Sequence, residues 1–454
     1  MSTSLPPTRR QILRGAAASA ITFGFPTIIP ASALGKDGKP APSNRVTLAC
    51  IGVGGRGTDD MKNFLNDERV QIIAVCDVDR GSDRYNKALC KKYGNLGREP
   101  ARDLINKHYG TTGCATQGDF REVLARKDVD AVLIATPDHW HALQAIAAAR
   151  AKKHIYCEKP ISLTVEQGQV MSRIVKESGV VWQTGSQQRS DIHFRLACEF
   201  VRNGRIGRLK TVRVGLASQN RDNNGNAART APEPVPEGLD YDLWLGPAPD
   251  APYCPARLHS NWRWIFDYSG GNVTDFGAHH LDIVQWALDT EHSGPVLFDN
   301  FKATWPPKGE LYNTPPTFSF ECEYASGVRV KVADQMDFGS GIEFEGESGK
   351  ITCQRGGLQV KPDTARVPLT DKETRLYESK DHFLNFIDAV LTGKPTATSI
   401  DVSHRSITIA HLANIGLRLG REKLRWNPET EQIIGDDEAQ KMLSCPMRGD
   451  WHLG

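Results

Sequence analysis

Apolar and polar positions follow two different rhythms along this chain. Short apolar runs recur at 46–52, 70–78, 129–135, 154–157 and 180–184, the texture of strands buried on both faces. Between them, residues 58–66, 141–151 and 165–177 space their apolar positions as helices do. Strand alternating with helix predicts a doubly wound parallel sheet covered on both sides. Past residue 190 the rhythm changes. Residues 191–203 predict a helix, 209–216 a strand, and 219–255, rich in Asn, Pro and Gly, a long loop. Segments 317–324, 328–335 and 350–354 alternate apolar with polar residues or carry turn residues between them, which suits an antiparallel sheet with one wet face. Residues 382–392 and 403–418 predict closing helices. The expected organisation is an α/β domain over 45–190, followed by an α+β domain with a large, mostly antiparallel open sheet over 191–454.

The N-terminus departs from this pattern. Thr8-Arg9-Arg10-Gln11-Ile12-Leu13-Arg14 is a twin-arginine sequence, followed by the mildly apolar stretch 15–29 and by Ala31-Ser32-Ala33. That order predicts a twin-arginine signal peptide over 1–33, a linker over 34–44 and a periplasmic mature protein. No cysteine closely follows the small residues, so no lipid anchor is expected. The twin-arginine route carries folded proteins, so any cofactor used outside the cytoplasm is expected to be tightly held. The remaining composition changes little. With 454 residues, 39% of them hydrophobic, the chain can build two cores. A formal net charge of +2 suggests neither a nucleic-acid face nor a polybasic membrane patch. No apolar run reaches the roughly 18 residues of a membrane span. The 10 cysteines include Cys50, Cys76 and Cys157 inside strand-like runs and no C-x-x-C pair, so mostly free thiols are expected.

Gly52-Val53-Gly54-Gly55-Arg56-Gly57 fits G-x-G-x-x-G, follows the first apolar run and opens a helical stretch. In that setting the backbone can approach a pyrophosphate at a helix N-terminus, as in a Rossmann domain. About twenty residues on, the second run ends in Asp77, placed to accept hydrogen bonds from the adenosine ribose. A carboxylate there repels a 2′-phosphate, which favours NAD over NADP. Arg80 nearby keeps NADP open.

The next two runs end in Ala135-Thr136-Pro137-Asp138-His139-Trp140-His141 and Cys157-Glu158-Lys159-Pro160, at the strand ends where doubly wound sheets bind ligands. A fourth element is Gly270-Gly271-Asn272-Val273-Thr274-Asp275-Phe276-Gly277-Ala278-His279-His280-Leu281-Asp282. On a helix, Asp275 and His279 would share one face; taken alone, that pair could equally form a buried polar network. Together these motifs resemble the Gfo/Idh/MocA family of oxidoreductases, over nearly all of the predicted mature chain. The resemblance implies that Lys159 and His279 stand at the reacting carbon, with Asp275 on the same helix as His279. It implies a cofactor-binding set of Gly52, Gly54, Gly55, Arg56, Gly57, Asp77, Thr136, Pro137, His141, Glu158, Lys159 and Gln187. Zinc usually takes three protein ligands and a fixed second shell, and the family typically needs no metal, so none is expected at His279, His280, Asp275 and Asp282.

Ahead of the fourth element lie Tyr241, Trp244, Tyr253, Trp262, Trp264, Phe266 and Tyr268, interleaved with Arg257, His259, Asn261 and Arg263. Flat faces with polar neighbours suit a carbohydrate, and core packing claims some of them. Substrate contacts are expected from Trp262, Arg263, Trp264, Asp275, His279 and His280. The first functional reading is an NAD-dependent dehydrogenase of a sugar, glycoside or polyol. A redox-neutral enzyme that cleaves a glycoside or exchanges hydride between sugars is the alternative. The family's N-acetylgalactosaminidase-like branch carries a Tyr-Pro-Thr-His type segment where this chain has Val273-Thr274-Asp275-Phe276, which sets that activity apart. A non-catalytic sugar or nucleotide sensor would need neither Lys159 nor His279. The family also implies a homo-oligomer, dimer or tetramer, joined through the open face of the second sheet.

Overall fold

The computed structural model describes residues 44–216 and 221–454; the predicted signal peptide and nearly all of the predicted linker lie outside them. Six parallel strands, β1 (Val46–Ile51), β2 (Val70–Cys76), β3 (Ala115–Gln117), β4 (Ala131–Ile134), β5 (His154–Cys157) and β6 (Trp182–Thr184), stand in the order β3-β2-β1-β4-β5-β6. All of β4 is buried, because helices cover both sheet faces. The strand order reverses between β1 and β4, which opens a crevice beyond their carboxyl ends. The expected α/β Rossmann domain with its doubly wound parallel sheet is the fold observed.

The second sheet has nine strands: β7 (Leu209–Gly215), β8 (Leu297–Thr304), β9 (Thr317–Glu323), β10 (Arg329–Ala333), β11 (Gly341–Gly346), β12 (Lys350–Gln354), β13 (Gly357–Lys361), β14 (Lys423–Asn427) and β15 (Gln432–Ile434). They run β13-β12-β11-β7-β10-β9-β8-β14-β15, with β7 and β10 parallel and every other neighbouring pair antiparallel. Along β9, Phe318, Phe320 and Cys322 point inward, while Ser319, Glu321 and Glu323 stay partly exposed. This alternation sets one face on a core and the other toward water. Helices Ile192–Arg202, Gly277–Leu288 and Ile400–Leu419 pack on the inner face. Arg189, just ahead of them, donates from Nε and Nη2 to the two oxygens of Asp282, both at 2.7 Å, and both residues are buried.

Three local readings change. The expected helix at 141–151 runs Asp138–Arg150, capped at Pro137, because proline suits a helix start and bars nothing beyond it. The helix expected to carry both Asp275 and His279 breaks at Phe276 into Gly271–Asp275 and Gly277–Leu288. The helix His382–Thr392 crosses back to the first sheet, where Phe386 and Ile387 join Val46, Leu48 and Phe64 in one core. None of the ten cysteines, all within the described residues, is paired.

Candidate active site

The glycine loop shows why small residues are required. Gly52 has φ +82°, and a Cβ there would lie 2.7 Å from the Ala135 carbonyl carbon. A Cβ on Gly57 would lie 1.8 Å from the Gly52 oxygen, so this glycine lets the helix Gly55–Leu65 close on the strand. Gly54 caps that helix without a side chain, which leaves its first-turn N–H groups and positive end open to an anion. At the end of β2, Asp77 accepts from Val53 N–H at Oδ2 and from Asp79 N–H at Oδ1, both at 2.9 Å. Burial pushes its carboxyl up to about 6. Arg80 is turned to Glu99, 3.6 Å away.

A cavity of about 630 Å³ runs from this loop to the second domain. Gly52, Gly54, Gly55, Arg56, Asp77, Thr136, Pro137, His141, Glu158, Lys159, Gln187, Trp262, Arg263, Asp275 and His279 all line it. Gly57 lies beneath the loop. Trp264 and His280, expected at the substrate, do not reach the cavity. The Trp264 ring is buried and faced by the Arg221 guanidinium at 5.1 Å. His280 Nδ1 lies 3.1 Å from the Gly215 carbonyl, with the ring against Phe194 and Phe276. Both side chains fill space behind the site, Trp264 against the Arg221 guanidinium and His280 against aromatic rings.

The centre of the cavity is a cluster of charges. Lys159 Nζ donates to Asp275 Oδ1 at 2.6 Å and to the Asp275 carbonyl at 2.8 Å. Arg263 Nε lies 3.6 Å from the same carboxylate, with its guanidinium over Trp262. His279 is buried, Nδ1 has no partner among the described residues, and burial together with the Lys159 and Arg355 charges holds its pKa well below the usual histidine range. The imidazole is therefore neutral. Asp275 and His279 meet here although they sit on separate helices.

Glu158 accepts from Gln187 Nε2 at 2.8 Å and from Arg56 Nε at 3.3 Å. Burial opposes its charge, but Arg56 and Lys159 outweigh it and hold the carboxyl below its ordinary value. Arg56 also pairs with buried Asp60 at 2.7 Å. His141 bridges the Pro160 carbonyl (2.6 Å) and the Thr136 carbonyl (2.7 Å), tying two strand ends together; a neutral ring donates to only one of them. Thr136 Oγ1 donates to Gln144.

Sequence reasoning missed several lining residues. Asp138 was visible in its motif but given no role; it is buried, accepts from Ser269 Oγ at 2.6 Å, and burial pushes its carboxyl up to about 7. Arg355, on the β12–β13 turn, had only a Gly-Gly turn signal after it. Tyr85 had none, and His259 was legible only as a polar neighbour of the aromatic segment: the two rings lie 3.8 Å apart, against the Gly54–Asp77 end. His259 Nε2 lies 3.3 Å from Asp79. This contact belongs to a longer strap. Arg80 N–H donates to the Gly238 carbonyl (2.8 Å), Asp240 N–H to Val78 (3.0 Å) and Lys87 N–H to Asn223 (3.0 Å). Asn223, Gly238, Asp240 and His259 thereby hold this strap against residues 78–87 at the nucleotide end of the cavity.

Comparisons with known proteins agree with this geometry. Residues 46–186 match the oxidoreductase family's NAD-binding Rossmann fold, and residues 201–453 match the same family's C-terminal alpha/beta domain. The chain is 34% identical over 406 residues to a myo-inositol 2-dehydrogenase of Thermotoga maritima, covering 86% of this chain and 99% of that one. An aldose–aldose oxidoreductase from Caulobacter crescentus, solved with glycerol, shares the fold with a TM-score of 0.58 at 18% identity, over 84% of this chain and 99% of that one. So does the WlbA dehydrogenase from Bordetella pertussis, solved with NADH and UDP-GlcNAcA, with a TM-score of 0.59 at 16% identity, over 85% and 98%. The chain belongs to the Gfo/Idh/MocA family of NAD-binding oxidoreductases.

Proposed function

We propose that this enzyme oxidises a secondary alcohol of a carbohydrate, uses NAD rather than NADP, and keeps its cofactor bound between turnovers. The observation that carries the reading is the neutral, unpaired His279 beside the Lys159–Asp275 ion pair, in one cavity with the glycine loop and Asp77. The residues present fit a dinucleotide: a glycine-lined helix end for the pyrophosphate and a carboxylate at the ribose position. Bound nicotinamide supplies a hydride acceptor. The hydroxyl proton then needs a base, and neutral His279 accepts it. The Lys159 ammonium, fixed by Asp275, stabilises the developing alkoxide. Trp262 and the Arg263 guanidinium stacked on it line the cavity where a sugar ring would sit.

Asp77 supports NAD through its charge, and Arg80 is engaged with Glu99 rather than with the cavity. The strap favours retention and, with it, the redox-neutral alternative: a held cofactor can be reduced by one sugar and reoxidised by another. Export through the twin-arginine route is proposed on Arg9 and Arg10, and Arg9→Lys with Arg10→Lys should keep the protein in the cytoplasm. A homo-oligomer joined through the open sheet face is also proposed, to be read by light scattering. The deciding experiment records nicotinamide absorbance of protein purified without added NAD, before and after sugars and glycosides. Reduction of co-purified cofactor supports the reading; a cofactor-free protein that binds NAD weakly overturns retention.

A further inference from the structure

Among the described residues four Lys and Arg side chains line the cavity, and three have partners. Arg56 pairs with Asp60 and Glu158, Lys159 with Asp275, and Arg263 lies 3.6 Å from Asp275. The fourth is Arg355. The tight β12–β13 turn, closed by the Gln354–Gly357 pairing, carries it into the lining with His279 and Phe276. Its guanidinium stands 5.7 Å from the Phe276 ring centroid and has no hydrogen bond or ion pair among the described residues. Burial, reinforced by the Arg56 charge, pulls its pKa below the ordinary arginine value, so the site works against this cation unless an anion joins it.

We propose that the carbohydrate bound here is a sugar acid and that Arg355 receives its carboxylate. The inference rests on the reading of the cavity as a carbohydrate site and names the class of carbohydrate. A guanidinium fork matches a carboxylate with two parallel hydrogen bonds. Asp275, Asp191 and Glu158 are the acidic groups that act on Arg355; their repulsion of an incoming anion grows with its charge, which favours a carboxylate over a phosphate dianion.

The test uses full-length NAD-loaded protein, wild type and Arg355→Met, with glucuronate against glucose, galacturonate against galactose, and glucose 6-phosphate. Turnover gives KM and kcat, and quenching of tryptophan fluorescence gives affinity independently of turnover. Wild type should prefer the acids about 10-fold or more, and Arg355→Met should raise KM and Kd for the acids alone by about 10–100-fold, the size of a lost charge-assisted hydrogen bond. Kd for NAD and for neutral sugars should be unchanged; kcat does not serve as the control, because the Arg355 charge also helps hold His279 neutral. Equal affinity for acid and neutral sugar in wild type overturns the proposal, as does tighter binding of the phosphate. Weaker NAD binding in the variant overturns it too, by assigning the guanidinium to the cofactor. Acid-selective binding without reduction supports the carboxylate site and sinks the proposed alcohol oxidation; no binding of any of these sugars sinks both.

Discussion

The Lys159 ammonium lies 2.6 Å from Asp275 Oδ1 and 2.8 Å from the carbonyl oxygen of the same residue. Two acceptors from one residue fix the cation on the wall opposite its own strand, with only 14% of its side chain exposed. The charge is thereby aimed before any ligand arrives, as electrostatic stabilisation of an alkoxide requires. Lys159→Met should lower kcat by about 10²–10⁴-fold, well beyond any change in NAD affinity. Single-turnover reduction of bound nicotinamide checks this; wild-type turnover in the variant would refute the role.

His279 is held neutral by burial and by the Lys159 and Arg355 charges. Its folded pKa is depressed, so protonation favours the unfolded chain, and the contribution to stability is lost only as pH falls. The ring should keep the ¹⁵N shifts of a neutral imidazole from pH 8 to below the usual histidine titration range near 6.5. Assignment by His279→Gln makes the measurement specific, and a titration near 6.5 would contradict the site electrostatics.

Asp77 has its carboxyl raised to about 6 by burial. The charged form accepts hydrogen bonds and the protonated form gives up an acceptor. NAD affinity should therefore be flat at alkaline pH and fall as pH drops through 6, with one proton released on binding below that point. Asp77→Ala should abolish this limb and admit NADP, shifting the NAD/NADP preference by about 10–100-fold. Calorimetric titration at several pH values decides it.

Gly57→Ala should fail at the first step. The added carbon would sit 1.8 Å from the Gly52 carbonyl oxygen, backbone that has no rotamer to escape into. A loss of about 1–3 kcal/mol in stability is expected from overpacking alone, together with loss of NAD binding. Thermal unfolding with and without NAD separates the two effects.

Asp282 makes a bidentate ion pair with Arg189 and accepts from Ser406 Oγ at 2.8 Å. Asp282→Ala would remove two carboxylate hydrogen bonds from the buried Arg189 and leave Glu291, 2.6 Å away, to hold its charge, at a cost of about 1–3 kcal/mol. Denaturant unfolding should show that loss, and the folded fraction should keep wild-type NAD affinity.

The parts legible in the sequence were those with a strong local cause. The fully apolar β4 and the glycine loop announced the nucleotide domain, and alternation in β9 announced the second sheet. Helices Lys87–Tyr93 and Arg98–Tyr109 were missed because they bury almost nothing: no residue of the first, and Ala101 and Ile105 of the second. At the site, strand-end motifs gave Lys159 and Glu158, but Arg355 arrives from a turn nearly 200 residues away and Tyr85 meets His259 across 174 positions of sequence. Such contacts are set by tertiary packing, which local pattern does not encode. Spacing alone also joined Asp275 and His279 on one helix, where Phe276 interrupts it.

The strap over residues 78–87 is joined by main-chain hydrogen bonds at Arg80, Asp240 and Lys87 and by the Tyr85–His259 ring contact. We expect a nucleotide seated against it to leave as those bonds break together, so that its departure would follow the opening rate of the polypeptide rather than the strength of its own contacts. Swapping one cofactor molecule for another then becomes a small unfolding event. Temperature and mild denaturant should speed that event more steeply than they weaken binding, and the ambient nucleotide concentration should hardly affect it.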